Sequence, residues 1–402
     1  MPDATKSDAT NGQPYDIVLT GGTVFGAGEA SSSGQVTDVA IRGGTVAAIG
    51  PDLAAGAAEV VDCGGQWVLP GLVEGHTHIF HWVSKVGAPP EEAHLRRGVV
   101  AACDAGTAGA STFPAFQRLI VEPSAMRIVN LLNVSVLGLI DFRFGELLNP
   151  NTLSADDALA TAQAHPEIVR GFKLRLSEDV VGDQCLPLLK RSLALGESAG
   201  LPLMVHIGET PEPLPAILDL LRAGDIVSHC YTGKANGILD DAGVISAVHA
   251  ARARGVVFDS AHGRSNLSFA VARRALAEGF LPDVISSDTS ARNWRGPVFD
   301  LVTTMSKFLA LGLSMAEIAP RVTSAPAKLL GLDAEGYGSL TVGGPAHVTV
   351  LERLAEADTL PDASGGHVVA PRLEPTLVLA AGQRIQTSPW RGRAAADALV
   401  TG

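Results

Sequence analysis

At 402 residues and 46% hydrophobic content the chain can bury a large core in one or two domains, and 18% charge with 44 glycines excludes a disordered or coiled-coil protein. A formal net charge of -12 argues against nucleic acid and anionic membrane surfaces as partners. Four scattered cysteines, Cys63, Cys103, Cys185 and Cys230, are too few for a disulfide scaffold. A polar N-terminus and the lack of any apolar run of about 18 residues speak against secretion and membrane insertion, so the cytoplasm is the expected location.

Residues 1–13 read as a flexible tail. Tyr15-Asp-Ile-Val-Leu-Thr, Asp38-Val-Ala-Ile-Arg, Thr45-Val-Ala-Ala-Ile and Glu59-Val-Val-Asp then predict short strands between glycine turns. From residue 68 the pattern changes. Apolar runs at 68–73, 99–102, 127–134, 168–176, 201–207, 225–229, 255–258 and 284–287 alternate with helix-like stretches such as 185–199, 214–223 and 241–254. Eight runs, most followed by a helical segment, predict an α/β fold: a (β/α)8 TIM barrel over 68–335, near the usual length of roughly 250 residues. Strand patterns return at Gly338-Ser-Leu, His347-Val-Thr-Val-Leu and Thr376-Leu-Val-Leu-Ala. Residues 14–67 and 336–390 are therefore expected to form one small β-sandwich built from both chain ends, with 391–402 as a second flexible tail.

The first barrel run closes in Trp67-Val-Leu-Pro-Gly-Leu-Val-Glu-Gly-His76-Thr-His78. Side chains at i and i+2 of a strand share a face, so both imidazoles can meet one metal ion. Barrel enzymes place their chemistry at the C-terminal strand ends. The fourth run carries Lys173, the fifth ends in His206, the sixth in His229 and the eighth in Asp288. Singly, each fits a core histidine, a helix-capping aspartate or a lysine packed on its stem. Together they sit on five of eight strand ends, where ligands to a metal are expected.

These residues, in this order, resemble the amidohydrolase superfamily of metal-dependent hydrolases. Cys103-Asp-Ala-Gly-Thr-Ala-Gly-Ala-Ser-Thr-Phe, Phe258-Asp-Ser-Ala-His-Gly and Gly296-Pro-Val-Phe-Asp-Leu look like its deacetylase-type subgroup. The resemblance implies a binuclear centre: His76, His78 and Asp288 on one ion, His206 and His229 on the other, and a CO2-derived carbamate on Lys173 bridging the two divalent ions, for which Zn2+ suits the histidine and oxygen donors best. It further implies Asp288 as the catalytic proton shuttle and a small acylated substrate, an N-acetyl amino acid or an acetylated hydroxy acid. One departure is His347, where the family usually has aspartate.

Tyr231, Lys234, His262 and Arg292 are the expected substrate contacts, with His81, Arg264 and Asn266 as further ones; His262 is the reserve proton shuttle. Tyr231 follows His229 by two and is expected to face the same cavity. Two other enzyme types use related centres. A dihydroorotase- or hydantoinase-like cyclic-amide hydrolase is one, although Phe80 stands where dihydroorotases carry an arginine. A mononuclear deaminase using Glu209 of His206-Ile-Gly-Glu is the other. A non-enzymatic scaffold is disfavoured by the filled ligand positions. The expected partner is a small molecule; homo-oligomerisation stays open.

Overall fold

The computed structural model describes residues 14–27 and 33–390; the tails expected at 1–13 and 391–402 lie outside the described residues. The first strands are β1 (Tyr15–Val24), β2 (Gln35–Arg42), β3 (Thr45–Gly50), β4 (Ala57–Asp62) and β5 (Trp67–Pro70). Next come β6 (Leu72–Thr77), β7 (Val99–Gly109), β8 (Arg127–Asn133), β9 (Val169–Arg175), β10 (Leu203–His206), β11 (Ile226–Ser228) and β12 (Val257–Asp259). The last are β13 (Val348–Pro361), β14 (His367–Ala380) and β15 (Gln383–Ile385).

Strands β6 to β12 lie side by side in chain order, every neighbouring pair parallel. Parallel neighbours need crossovers, and helices supply several of them. The clearest is Cys185–Ala199, between β9 and β10. Cys185, Leu188, Leu189, Ser192, Leu193 and Gly196 form its buried stripe at spacings of three and four. Its bounds coincide with the sequence expectation, whereas the stretches at 214–223 and 241–254 shorten to helices Leu214–Leu218 and Ser246–Ala253. β7 is buried along its whole length and outruns the expected 99–102. Asp104 and Gly106 hide that extension from strand propensity, but parallel neighbours on both sides supply its ladder.

Two of the expected barrel runs differ. The run 68–73 divides at Gly71: β5 pairs with β1 and β13, and β6 opens the parallel sheet. A Cβ at Gly71 would lie 2.5 Å from Val100 Cγ2 and 3.2 Å from His347 Cβ, so only glycine lets the chain cross there. The eighth run, 284–287, is no regular strand. Single parallel bridges, Asp259 to Val284 and Thr77 to Thr289, tie this stretch to both edge strands, β12 and β6. Its side chains bond sideways instead: Ser286 Oγ to Asp259 at 2.5 Å, and Ser287 Oγ to Glu74.

Both chain ends do meet, in the order β15-β14-β13-β5-β1-β2-β3 with β4 on β1. A small β-sandwich is expected from these two ends; among the described residues their strands form one hydrogen-bonded sheet of eight. Gly338-Ser-Leu is no strand; Leu340 N bonds Gly26 O from a loop. Leu19, Val39, Ile41, Val68, Val348 and Leu379 join both ends in a core of their own, apart from the larger core around the parallel sheet. Among the described residues no helix is long and apolar enough to cross a membrane.

Candidate active site

The C-terminal ends of the parallel strands gather the polar residues. His76 is the penultimate residue of β6, His78 follows the strand, and their ring centroids lie 5.8 Å apart. Asp288 comes back over both. Its Oδ1 is 3.2 Å from His78 Nε2 and 3.7 Å from His76 Nε2, and its Oδ2 is 4.0 Å from His229 Nε2. Ligand atoms of His76, His78 and Asp288 all fall within 4.8 Å of one another. His206 stands next to His229, with ring centroids 4.1 Å apart. Lys173 Nζ is 3.5 Å from His76 Nε2 and 3.1 Å from both Ser228 Oγ and Met204 Sδ. All six residues thus converge on one place.

The orientation of three rings follows from their second nitrogens. His76 Nδ1 lies 3.1 Å from Asp259 Oδ2, His78 Nδ1 2.8 Å from Thr107 Oγ1, and His229 Nδ1 2.7 Å from Ala261 O. With Nδ1 engaged outward, each Nε2 turns toward Asp288.

Burial sets the protonation states. It pushes His76 and His206 well below the usual imidazole range, helped by Lys173 beside His76 and by His229 beside His206. Burial, opposed by the Asp288 charge, brings His229 to about 4. It brings Lys173 from 10.5 to about 8. Burial alone would raise the Asp288 carboxyl, but the bond to His78 and the fields of His76 and His229 outweigh it and hold Asp288 below the usual carboxylate range. Neutral imidazoles beside a carboxylate are the donor set, in the protonation state, that a divalent cation takes.

A cavity of about 310 Å3 opens over this cluster. Arg175, Lys234, Arg264, Asn266 and Arg292 line it. Lys234 pairs with Glu209 at 2.9 Å, and Arg175 with Glu146 at 2.8 Å. Arg292 and Arg175 both lie over the Phe142 ring, 4.9 and 5.1 Å from its centroid.

Three expected contacts are elsewhere. Tyr231 is fully buried and donates to Phe280 O at 2.7 Å. The alternation that pointed it at the cavity does not extend so far: β11 stops at Ser228, and His229 itself has φ 67°. Both nitrogens of buried His262 are engaged, Nδ1 with Gly263 O and Nε2 with Lys307 Nζ, each at 2.8 Å, and the residue does not line the cavity. His81 bonds Gly87 O at 3.1 Å and packs on Trp82 instead of lining the cavity. Sequence reasoning missed Arg175 and Asp259. Arg175 follows Lys173 by two on β9 and shares its face. Asp259 ends β12, a strand end to which the sequence argument assigned nothing.

Comparison with known proteins agrees with this geometry. The chain is 34% identical over 312 residues to a deacetylase of Brucella anthropi, covering 77% of each chain. It is 36% identical over 324 residues to a deacetylase of Enterococcus faecalis, covering 79% of this chain and 86% of that one. The chain belongs to the amidohydrolase superfamily. It is a hydrolase, on the deacetylase branch. Crystal structures of an adenine deaminase and a dihydroorotase superpose with TM-scores of 0.84 at 33% and 32% identity, each covering 92% of this chain and 99% of the other. A D-hydantoinase from Thermus sp., at 17% identity and a TM-score of 0.65, shares the fold. No family model matches the sequence.

Proposed function

We propose that this hydrolase is a binuclear metal-dependent deacylase that cleaves acetyl from a small N-acetyl amino acid or acetylated hydroxy acid. The observation that carries the reading is the Asp288 carboxylate set among three imidazole nitrogens, with the Lys173 amine 3.5 Å from one of them. His76, His78 and Asp288 would hold one ion and His206 and His229 the other. Lys173 would join them as a carbamate, because only a neutral amine adds CO2 and burial favours that form. The parallel strands closed by 284–289 are then a (β/α)8 barrel, residues 68–335 the catalytic body, and 14–67 with 336–390 the accessory unit.

When bound, divalent ions bring a water's pKa near neutrality and polarise a carbonyl. The remaining work belongs to side chains. Asp288, anionic and facing the cavity, takes the proton from the attacking water and returns it to the departing nitrogen or oxygen. Arg292, Arg264 and Lys234 stand where they can orient the substrate. The cyclic-amide alternative has less support. Phe80 is buried against Phe116, centroids 5.3 Å apart, so this position offers the cavity nothing. The deaminase alternative asks Glu209 for a proton, yet its carboxylate is paired with Lys234.

The test combines metal analysis with a screen of N-acyl amino acids and acyl hydroxy acids of both chiralities. Two divalent ions per chain at full activity are expected. Lys173→Ala is expected to lose most metal and activity, and a short carboxylic acid to restore part of both. Full activity with one ion, and greater damage from Glu209→Gln than from Lys173→Ala, would favour the deaminase.

A further inference from the structure

The stretch 259–263 touches three of the six gathered residues. Asp259 meets His76 Nδ1, Ala261 O meets His229 Nδ1, and Gly263 runs so close to Asp288 that a Cβ there would collide with its Oδ2. The stretch is itself pinned. Ala261 N and Ser286 Oγ both donate to Asp259 Oδ1, at 3.2 and 2.5 Å. Lys307 Nζ bonds His262 Nε2 at 2.8 Å and Pro297 O at 2.7 Å, and His262 Nδ1 donates to Gly263 O.

Those bonds decide how Asp259 faces His76. Oδ1 is taken by two donors, one of them a backbone N–H that cannot rotate away. Only Oδ2 is left for the imidazole. A carboxylate accepts and does not donate, so the single proton of a neutral His76 sits on Nδ1. The Nε2 lone pair then faces Asp288.

We propose that Asp259 is a positioning residue for the metal centre: it fixes the His76 tautomer in which Nε2 is free to bind a divalent cation. The inference rests on the metal-dependent reading above. Outer partners of ligating histidines commonly act in this way.

The proposal gives an ordering of variants that packing alone would not. In Asp259→Asn the amide oxygen must stay where Ala261 N and Ser286 Oγ donate. The NH2 then faces His76 Nδ1, which has to accept, and the proton moves to Nε2. Asp259→Ala removes the partner but imposes no tautomer. Metal-free wild type, Asp259→Ala and Asp259→Asn are titrated with Zn2+ against a chromophoric chelator. Affinity is expected to fall about 10–100-fold in Asp259→Ala, and further in Asp259→Asn. Equal affinities, or the near-isosteric Asn binding better than Ala, would overturn the role of Asp259. Wild type that takes up no Zn2+ would instead defeat the metal-dependent reading. Histidine-selective 15N spectra of metal-free wild type give a check that needs no variant to fold: His76 is expected protonated on Nδ1, and protonation on Nε2 overturns the proposal.

Discussion

Two buried polar regions of this molecule differ in how completely they satisfy themselves. Between the two sheets, fully buried Arg97 donates to Asp300 Oδ2 at 2.7 Å, and to Glu374 Oε1 and Ser388 O at 2.6 Å each. Glu374 also takes Arg372, which reaches Asp358 at 2.9 Å and lies over the Trp390 ring. Asp300 meanwhile caps the helix Leu301–Ala310 through Thr303 N. Both guanidinium groups there have fixed acceptors from the chain, although Trp390 Nε1 and Ser388 Oγ beside them find no partner. At the C-terminal strand ends, His76, His78 and His229 each spend one nitrogen on the scaffold and leave the other facing a single carboxylate. A cluster that closes on itself ties elements together. A cluster that leaves three imidazoles to share one carboxylate has the pattern of a functional site.

The contrast can be broken most directly at Asp288. Asparagine keeps its size and one oxygen but cannot act as a carboxylate base. Asp288→Asn is expected to lower kcat by about 10²–10⁴-fold with metal content and melting temperature nearly kept. Measuring all three on one preparation decides it; an unfolded variant would make Asp288 a structural residue like Arg97. The reverse is expected of Arg97→Met. It strands Asp300 as a buried charge, while half-buried Glu374 keeps Arg372, and should cost about 3–5 kcal/mol in urea unfolding, with kcat and KM of the folded fraction unchanged. A changed kcat there would join the two regions functionally.

Smaller effects sharpen the picture. Arg292 lines the cavity over Phe142 and forms no salt bridge among the described residues. Arg292→Leu is expected to raise KM for an acidic substrate roughly tenfold, about 1.4 kcal/mol, with little change in kcat. A fall in kcat alone would move Arg292 from binding to chemistry. The smallest effect concerns His347, outside both clusters. Burial brings it from 6.5 to about 4, and its Nδ1 accepts from Ala381 N at 3.2 Å. Between those two pH values the unfolded chain binds the extra proton and the folded one does not. Stability should therefore fall as pH drops below 6.5, on the order of 1 kcal/mol per pH unit. His347→Gln should flatten that slope in melts from pH 7 to 5; an unchanged slope would locate the acid sensitivity elsewhere.

The convergence was legible because the cluster is made of rare residue types at strand ends. His76, His78, Lys173, His206, His229 and Asp288 interrupt apolar runs, and period-two alternation says which way they face. The same rule failed for Tyr231, because the strand had already ended at Ser228. It failed for 68–73 because nothing local says that one apolar run serves two sheets; the crossing at Gly71 is a matter of Val100 and His347 closing in from elsewhere. It failed for 284–287 because the serines there found side-chain partners on β6 and β12 in place of a ladder.

Periodicity and residue chemistry by themselves determined the alternating α/β order, the pairing of both chain ends and the identity of the converging side chains, since burial and side-chain polarity are properties of residue type and spacing. Only the tertiary structure decided which nitrogen of His76, His78 and His229 faces inward, that Asp259 bonds His76 and Arg175 lines the cavity, and that Tyr231 and His262 do neither. Those outcomes depend on partners between 29 and 183 residues away along the chain, such as Thr107 for His78 and Asp259 for His76. No local pattern encodes a contact that exists only once distant strands lie side by side.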